Sequence, residues 1–232
     1  MKIVAVKLPS DINSIHLDSL LRLLPEYEQR MVQKRLNIDT RYRTLVARVF
    51  LRLQLSKVLG TKWREIVLRI DKKGKPFLQH KEHLHFNLSH SGNWIVAAIS
   101  KKKIGIDIEH LKAIAIERYS SFLQINERNY ILDGNSEERL RRFFEVWTLK
   151  ESYIKATGMG FYEPLSSYSV IQAVGYGGLP VQATIKNELF WFKQYLLDDR
   201  YPLAICSKSS GFPNQIEITD IEILYKSAVR LS

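Results

Sequence analysis

The chain has 232 residues, of which 45% are hydrophobic and 11% aromatic, so it can bury a sizeable core and leaves no room for a long disordered or collagen-like stretch. Its single cysteine, Cys206, excludes an intramolecular disulfide and a cysteine-rich zinc site, and favours a reducing compartment, with the cytoplasm as the expected one. The net charge of +11 favours a polyanionic partner: nucleic acid, an acidic protein, anionic lipid or a phosphorylated small molecule.

The spacing of apolar residues predicts both helices and strands in the first 104 residues. In chain order, the predicted elements are a strand at 3–6, helices at 17–36 and 42–59, a strand at 66–70, a basic turn at 72–76, and a hairpin of strands 86–88 and 94–99 around a turn at 89–93. The opening strand is too short for a signal-peptide core. No other apolar run reaches the length of a membrane span, so we expect no membrane association.

The rest of the chain is predicted to contain one long helix among strands. The predicted elements are a strand at 104–108, a helix at 137–156 ended by Gly158 and Gly160, and strands at 169–172, 190–196, 203–207 and 216–224. The segments 96–100 and 203–207 each end a hairpin with a small, apolar run. Five similar residues are weak evidence for an internal duplication.

Two acidic residues share one face of the strand at 104–108. Side chains alternate along a strand, so Asp107 and Glu109 point away from the isoleucines, on the same side as Gly105. Their like charges repel, and a hard cation such as Mg²⁺, which takes oxygen ligands, would relieve the repulsion. A solvated edge strand explains the same alternation, and spacing alone favours that interpretation.

A third acidic residue interrupts the apolar stripe of the long helix. Glu151 follows Trp147 at helical spacing, on the stripe that also contains Leu140, Phe143, Phe144 and Ile154. A carboxylate there is costly to desolvate unless a cation, a metal or several donors pair with it, so Glu151 is a candidate third metal ligand. Lys155, one turn later, is the simpler partner in a surface ion pair. Trp147 is assigned to the core.

Several segments could bind phosphate. The turn at 89–92, with its hydroxyls, backbone amides and His90, can hold phosphate oxygens, and basic residues at 72, 73, 75, 41 and 43 add positive charge. Solvated turns and charged faces explain these features equally. The histidines at 80, 83 and 85 suggest zinc, but a polar loop accounts for them more simply. Phosphate-loop, dinucleotide, nucleophile-elbow and zinc-protease motifs are absent from the sequence.

Four sequence blocks together resemble the Sfp-type 4'-phosphopantetheinyl transferases. They are Gly74-Lys75-Pro76, the run 86–92, the run 104–109 and the run 147–155, and the resemblance extends to Arg43-Thr44. It implies an α/β (α+β) fold in which two similar halves, each a small antiparallel sheet packed with a helix, form a pseudo-dimer with the active site between them. The halves would be 1–104, with the coenzyme A-binding helix, basic turn and hairpin, and 105–232, with the metal strand, long helix and carrier-facing segment.

The resemblance also implies an activity. Members of the family transfer 4'-phosphopantetheine from coenzyme A to a serine of an apo acyl or peptidyl carrier protein, using Mg²⁺ and releasing adenosine 3',5'-bisphosphate. The carrier would be acidic and would serve fatty-acid, polyketide or nonribosomal peptide synthesis. Carrier contact is expected after Gly158, through Met159, Phe161 and Tyr162 together with nearby basic residues. We expect a monomer without a nucleic-acid partner.

Residue roles follow from the same resemblance. Asp107, Glu109 and Glu151 would hold Mg²⁺ and Lys155 would reach the phosphates; Arg43 and His90 would bind the 3'-phosphate, Ser89 the pyrophosphate, and Gly74, Lys75 and Pro76 would form the turn near adenine. The base for the carrier serine is either Glu151, through a metal-bound water, or Glu127. Near Pro25 the chain departs from the family, because Tyr27 replaces a frequent basic residue and Arg30 follows one turn later.

Two other functions are compatible with parts of the sequence. A basic nucleic-acid-binding module explains the charge, but gives no reason to place Glu151 on an apolar stripe or to pair Asp107 with Glu109. A metal-dependent nuclease explains the three carboxylates. It does not explain the phosphate-binding segment at 89–90 beside the turn at 74–76.

Overall fold

Two four-stranded sheets and two 22-residue helices form most of the molecule. The computed structural model describes residues 1–9, 17–175 and 178–231, except for the side chains of Phe161 and Leu231. The strands are β1 (Lys2–Lys7), β2 (Leu68–Ile70), β3 (Pro76–Leu78), β4 (His85–Ser91), β5 (Trp94–Ser100), β6 (Ile104–Ile108), β7 (Val181–Ile185), β8 (Glu188–Leu196), β9 (Pro202–Ser207) and β10 (Glu217–Thr219). The helices are α1 (Leu17–Leu23), α2 (Glu26–Gln33), α3 (Ile38–Leu59), α4 (Ile125–Leu132), α5 (Ser136–Thr157) and α6 (Ile221–Leu231).

The first sheet has the strand order β10-β1-β5-β4 and the second has the order β6-β9-β8-β7. All pairings are antiparallel except β1 with β10, which is parallel. Strands β2 and β3 form a separate antiparallel hairpin. Short 3-10 helices occupy Trp63–Glu65, Ile116–Phe122, Gly160–Tyr162, Leu165–Ser167 and Ile171–Ala173. Strand β4 lies at an edge of the first sheet and β6 at an edge of the second. Along the chain, only β5 separates these two edge strands.

The two sheets pack face to face, and each has a long helix on its outer side. In β1, Ile3 and Ala5 join the core between the sheets, whereas Val4 and Val6 join the core under α3. The same alternation holds in β5. In β6 the isoleucines join the core between the sheets, whereas Gly105 and Asp107 face α5, so both strands are buried on both faces. Continuous apolar runs are typical of strands with two covered faces. The result is four layers, helix, sheet, sheet and helix, as the predicted two-half fold requires.

Local signals fix the ends of the two long helices. Asn37 caps α3 by accepting a hydrogen bond from the Thr40 amide at 3.0 Å, and Asn135 caps α5 in a capping box with Glu138. The helices end at Gly60 and Gly158, whose φ angles of 63° and 70° are left-handed. Glycine adopts this conformation without steric cost, so both predicted helix ends are confirmed.

A close approach between α5 and β6 depends on Gly105. A Cβ atom at residue 105 would lie 2.0 Å from the Ser152 carbonyl oxygen and 2.3 Å from the Ala156 amide nitrogen. Only glycine allows the helix backbone to rest directly on the strand. The contact places the acidic face of β6 against the helix turn that carries Glu151 and Lys155.

Three polar side chains of β4 join the two sheets, and we call them the β4–β6 ladder: Asn87, Ser89 and Ser91. Each accepts a hydrogen bond from a backbone amide on or just after β6. Asn87 accepts from Ile106 at 2.9 Å, Ser89 from Ile108 at 3.4 Å and Ser91 from His110 at 3.0 Å. The ladder fixes the edge of one sheet against the edge of the other.

Several predicted elements need correction. The helix predicted at 17–36 is interrupted at Pro25, which stands at the N-cap of α2, where its fixed φ suits a new helix. The turn predicted at 89–93 is shorter, because residues 89–91 belong to β4. The strand predicted at 169–172 is irregular and leads into a 3-10 helix, and α4 and β7 were not predicted.

The tail after residue 216 also differs from its predicted single strand. It forms β10 and then α6, which adds Leu224 and Ala228 to the core under α3. The tail thus packs with the first sheet, although the predicted boundary assigns it to the half 105–232. The division of the chain at residue 104 itself stays a prediction.

Candidate functional site

The candidate site lies where β4, β6 and α5 meet. Lys155 on α5 places its ammonium nitrogen 2.5 Å from Asp107 Oδ1 on β6 and donates to Ser89 Oγ on β4 at 3.0 Å. Ser89 in turn donates to the same Asp107 oxygen at 2.9 Å. Three residues predicted to bind phosphate or metal are therefore in direct contact, and they come from both sheets.

Asp107 has an unused oxygen. Its side chain is 3% exposed, and its Oδ2 atom is buried without a hydrogen-bond partner in the described part of the chain. An orphaned buried carboxylate oxygen loses its hydration without replacement, which is costly. An additional cation bound at this oxygen would remove the cost, so the residue fits a metal ligand.

Glu109 and Glu151 lie within electrostatic reach of Asp107. Burial raises the pKa of Glu109, and the negative charge of Asp107 raises it further. The pKa of Glu151 is raised by the same two causes in the same order. A divalent cation beside Asp107 would counter this repulsion and favour the charged forms of Glu109 and Glu151.

The three carboxylates are not gathered into a complete metal cage. Among residues 1–9, 17–175 and 178–231, no three His, Cys, Asp or Glu side chains lie close enough together to hold an ion. The Lys155 ammonium lies against Asp107 and neutralises part of the negative charge there. Within the described residues, the histidines at 80, 83 and 85 likewise do not lie close enough together to hold a zinc ion.

A cavity of about 390 Å³ lies beside the β2–β3 turn and the end of α5. Lys75 and Pro76 line it, together with Phe77, His85, Thr157 and Gly158. Lys75 donates to the backbone carbonyls of Lys155 and Ala156, and burial lowers its pKa to about 8. Gly74, with φ of 85°, closes the turn and lies outside the lining. The cavity has the mixed polar and apolar wall that suits a nucleotide base.

His90 lies within electrostatic reach of Lys155 and Arg43. The His90 side chain points away from the core of β4 and is exposed, whereas Arg43 on α3 is half-buried. Partial desolvation lowers the pKa of His90, and the charges of Lys155 and Arg43 lower it further. Mutual repulsion among these groups would be relieved by an anion such as phosphate.

Glu127, predicted as a candidate base, is not brought to the site. Its carboxylate is fully buried, lies 2.9 Å from the ammonium of Lys150, and accepts from the amides of Gln124 and Val170 at 2.8 Å. The Lys150 ammonium also donates to the carbonyls of residues 165 and 168. These contacts saturate both groups and place the pair in a buried structural network, so the role of Glu127 as the base stays a prediction.

Tyr27 also belongs to a structural network. Its hydroxyl donates to Glu28 at 2.9 Å and accepts from Arg52 at 3.1 Å, in a buried ion pair between α2 and α3. Arg30 pairs with Glu26 on the exposed face of α2 at 2.8 Å. Family members often carry a basic residue in place of Tyr27. Here the tyrosine is part of a buried network, and the nearby Arg30 is paired with Glu26.

Two features of the site were not found from the sequence. Ser91 donates to Glu109 Oε2 at 2.9 Å, a contact hidden by the prediction of a turn at 89–93. A second, apolar cavity of about 540 Å³ lies beside Glu151 and Lys155, with Phe122, Trp147 and Pro164 in its wall. Trp147, predicted as core, both lines this cavity and stacks on Phe143 at 5.6 Å. The helical spacing of residues 147, 151 and 155 is the signal that could have located it.

Comparison with known proteins agrees with this geometry. Residues 103–206 match the model of the 4'-phosphopantetheinyl transferase superfamily, and residues 13–102 match that of the 4'-phosphopantetheinyl transferase N-terminal region. The chain is 34% identical over 227 residues to the 4'-phosphopantetheinyl transferase gsp of Aneurinibacillus migulanus, covering 96% of this chain and 92% of that protein. It is 27% identical over 224 residues to the 4'-phosphopantetheinyl transferase Sfp of Bacillus subtilis (strain 168), covering 97% and 100%. The chain belongs to the Sfp-type 4'-phosphopantetheinyl transferases.

The predicted family and activity are thus confirmed. A further relative, the 4'-phosphopantetheinyl transferase psf-1 of Bacillus pumilus, is 32% identical over 230 residues and covers 96% of each chain. This phosphopantetheinyl transferase moves 4'-phosphopantetheine from coenzyme A to carrier proteins. The comparisons give no support to a nucleic-acid-binding module or a nuclease. Within the described residues, the transferase has no helix with the length and apolarity needed to span a bilayer.

Proposed function

We propose that the transfer depends on Mg²⁺ and that Asp107, Glu109 and Glu151 hold the ion. The observation that carries the proposal is the buried, unpartnered Oδ2 atom of Asp107 beside two carboxylates whose pKa values its charge raises. Oxygen ligands of this kind suit Mg²⁺. When bound, Mg²⁺ would neutralise charge that develops on the pyrophosphate of coenzyme A.

Lys155 is the proposed phosphate-binding cation of the protein itself. Its ammonium already lies between Asp107 and Ser89, and the side chain is 27% exposed, so it can turn toward a bound pyrophosphate. Ser89 offers a hydroxyl at the same point. Phosphoryl transfer needs positioning and charge neutralisation more than covalent help, and Lys155 supplies both at low cost in reorganisation.

The nucleotide of coenzyme A is proposed to bind between the β2–β3 turn and α5. Lys75 and Pro76 would flank adenine in the 390 Å³ cavity. Arg43 and His90 would hold the 3'-phosphate, because both are positively charged or chargeable and face the region of Lys155. A phosphate there would replace the repulsion among these groups with attraction.

Glu151 is the proposed acceptor of the proton from the carrier serine. The serine oxygen forms a bond to the phosphorus of the pantetheine phosphate, the bond to the other phosphate breaks, and adenosine 3',5'-bisphosphate leaves. Glu151 lines the apolar cavity beside Lys155, so its carboxylate is placed to accept a proton from a serine that enters this cavity, directly or through a water. The burial of Glu127 and its ion pair with Lys150 support Glu151 over Glu127 for this role.

The carrier is proposed to be acidic and to dock over the apolar cavity. Tyr162 is 72% exposed and Met159 is half-buried, and both line another cavity, of about 320 Å³, which shares Glu163 and Pro164 with the apolar one. The side chain of Phe161 lies outside the described part of the chain. The net charge of +11 would attract an acidic partner. Because both sheets of one chain build the site, we propose a monomer. We propose the cytoplasm as its compartment, where the free thiol of Cys206 stays reduced.

Intact-mass measurement on apo carrier proteins tests these proposals. With coenzyme A and Mg²⁺, an acidic acyl or peptidyl carrier should gain the mass of one phosphopantetheine. EDTA should stop the gain, and added Mg²⁺ should restore it. A full rate in EDTA with metal-free reagents would overturn the magnesium proposal, and an equal rate on a charge-reversed carrier would overturn the acidic-carrier proposal.

A further inference from the structure

Ser91 is the rung of the β4–β6 ladder that ends next to the acidic face of β6. We propose that Ser91 is a positioning residue, which holds the Glu109 carboxylate in the orientation needed for metal binding. This inference rests on the proposed magnesium site. Ser91 contacts neither Asp107 nor Lys155, so its role differs from that of Ser89.

The hydroxyl of Ser91 accepts one hydrogen bond and donates one, and the donated bond goes to Glu109. The Ser91 oxygen accepts from the His110 amide at 3.0 Å, and its single proton is donated to Glu109 Oε2 at 2.9 Å. The backbone of the segment 109–110 and the side chain of Glu109 are thus tied to the same atom. Among the described residues, the other carboxylate oxygen of Glu109 has no donor, so it remains available to a cation.

Tyr201 fixes both ends of this rung. Its hydroxyl accepts a hydrogen bond from the Asn93 amide at 3.3 Å, at the turn that follows Ser91. Its ring stacks on His110 with the centroids 4.7 Å apart. A Cβ on Gly92 would lie 2.4 Å from the Tyr201 hydroxyl, so the turn is seated directly on this tyrosine. Tyr201 therefore holds the turn after Ser91 and the residue His110 at a fixed distance from each other.

Glu109 needs such a restraint because Asp107 lies on the same face of the strand. Two carboxylates at this spacing repel each other, and a freely rotating Glu109 would turn toward solvent. The Ser91 hydroxyl keeps Glu109 close to Asp107 before any cation arrives. Groups that orient a metal ligand in this way typically contribute 10- to 100-fold in metal affinity.

Asn87 supplies a matched control in the same ladder. It also accepts from a β6 amide, at 2.9 Å from Ile106, but its side chain contacts no carboxylate in the described part of the chain. Loss of either rung removes one hydrogen bond from a backbone amide, and loss of Ser91 also removes the bond to the Glu109 carboxylate. Only loss of the Ser91 rung should alter a metal ligand, so the two variants separate positioning from sheet stability.

The test compares four variants for Mn²⁺ binding, by electron paramagnetic resonance in the presence of coenzyme A, and for melting temperature. Ser91→Ala should weaken Mn²⁺ binding about 10-fold or more. Ser91→Val should match it, whereas Ser91→Thr, which has nearly the same shape as valine but keeps the hydroxyl, should bind like wild type. Asn87→Ala should lower the melting temperature with unchanged Mn²⁺ affinity. In transfer assays, Ser91→Ala should need correspondingly more Mg²⁺ while its KM for coenzyme A at saturating Mg²⁺ stays constant.

Three outcomes would contradict the inference in different ways. Wild-type affinity in both Ser91→Ala and Ser91→Val would overturn the positioning role while leaving the magnesium proposal intact. Equal weakening in Asn87→Ala would make the effect one of sheet packing and would also overturn it. Absence of Mn²⁺ binding in the wild-type protein would overturn both the inference and the proposed metal site.

Discussion

At the scale of single residues, the ammonium group of Lys155 lies against Asp107, the residue that is proposed to bind the metal ion. Lys155 neutralises one oxygen of Asp107, and the other oxygen is left buried without a partner. The unliganded protein therefore holds a half-satisfied carboxylate, which is costly for folding and suited to ion binding. The Oδ2 atom of Asp107 thus both lowers the stability of the unliganded protein and provides the proposed metal ligand.

Replacement of Asp107 should separate activity from stability. Asp107→Asn keeps the shape of the side chain but removes its charge, so the rate of transfer should fall by about 10²- to 10³-fold, as for loss of one electrostatic contact at a reacting centre. The melting temperature should stay close to that of wild type, because Lys155 is 27% exposed and can be hydrated when its pair is lost, and because the repulsion between Asp107 and Glu109 is removed. Rates of carrier mass gain and thermal melts measure both effects. Near-normal turnover in a folded variant would contradict the assignment.

Replacement of Glu127 should have the opposite effect. Glu127→Gln leaves the buried ammonium of Lys150 without its charged partner, and breaking a buried pair in this way costs about 3–5 kcal/mol. At temperatures well below its lowered midpoint of unfolding, the folded variant should keep a kcat within a few-fold of wild type. Urea unfolding and transfer rates on the same preparation provide the comparison. A 100-fold loss of kcat in the folded protein would restore Glu127 as a candidate base.

The sequence predicted the residues of the site better than it predicted their partners. The alternation 105–109 correctly places Asp107 and Glu109 on one face, because strand geometry is local. Glu127 has equally plausible local chemistry. Glu127 is held in a buried network by Lys150 and by the Val170 amide, and no local pattern in the sequence specifies these contacts.

At the scale of elements, the contact between α5 and β6 controls the site. Gly105→Ala would force a methyl group into the backbone of α5, at 2.0 Å from the Ser152 carbonyl oxygen. Overpacking of this kind costs about 1–3 kcal/mol and sometimes more, and here the backbone on both sides cannot yield easily. Gly60→Ala is the control: nothing lies within 4 Å, and only its left-handed backbone costs about 1–2 kcal/mol. Thermal melts should show the larger loss at residue 105; equal losses would contradict this packing.

The buried ion pair between α2 and α3 should make stability depend on acid pH. Burial opposes ionisation of Glu28, but the hydrogen bonds and charge of Arg52 outweigh it and lower the pKa of Glu28 below its ordinary value of 4.5. Because the folded pKa is lowered, this stabilisation is complete above the unfolded pKa and is lost as pH falls through the folded one. In Glu28→Gln, the free energy of unfolding should change less steeply with pH below about 4.5, by up to about 1.4 kcal/mol per pH unit.

Urea unfolding between pH 6 and pH 3 measures that slope. The matched control is Glu26→Gln, which removes the exposed pair with Arg30 and should leave the slope unchanged. A slope in Glu28→Gln identical to that of wild type would show that the Arg52 pair does not contribute to acid stability.

Element boundaries that rest on local signals were predicted well, and those that rest on distant contacts were not. Gly60 and Gly158 end their helices as predicted. The polar residues 89–91 indicate a turn when read alone, yet they extend β4 because their backbone pairs with residues 94–96 of β5. The amides of Ile108 and His110 also bond to the Ser89 and Ser91 hydroxyls. The tail after residue 216 follows the same rule, since its pairing partner β1 lies at the other end of the chain.

At the scale of the whole molecule, the pseudo-dimer explains why the site exists at all. Each sheet buries both of its faces, one against a long helix and one against the other sheet. Polar chemistry is therefore confined to the edges, where β4 and β6 meet through the β4–β6 ladder. The two-half architecture was predictable from the family resemblance, whereas the weak repeat at 96–100 and 203–207 would not have been sufficient.

Asp107, Glu109 and Glu151 are proposed to converge on one cation beside the pyrophosphate of coenzyme A. The decisive measurement is anomalous diffraction at the manganese absorption edge from a crystal of the protein grown with coenzyme A and Mn²⁺. We expect one strong anomalous peak within coordinating distance, roughly 2.0–2.3 Å, of oxygens from all three carboxylates, with the Lys155 ammonium moved from Asp107 to the phosphates. A manganese peak away from these residues, or a pyrophosphate bound with Lys155 still on Asp107 and no metal, would refute the proposed site.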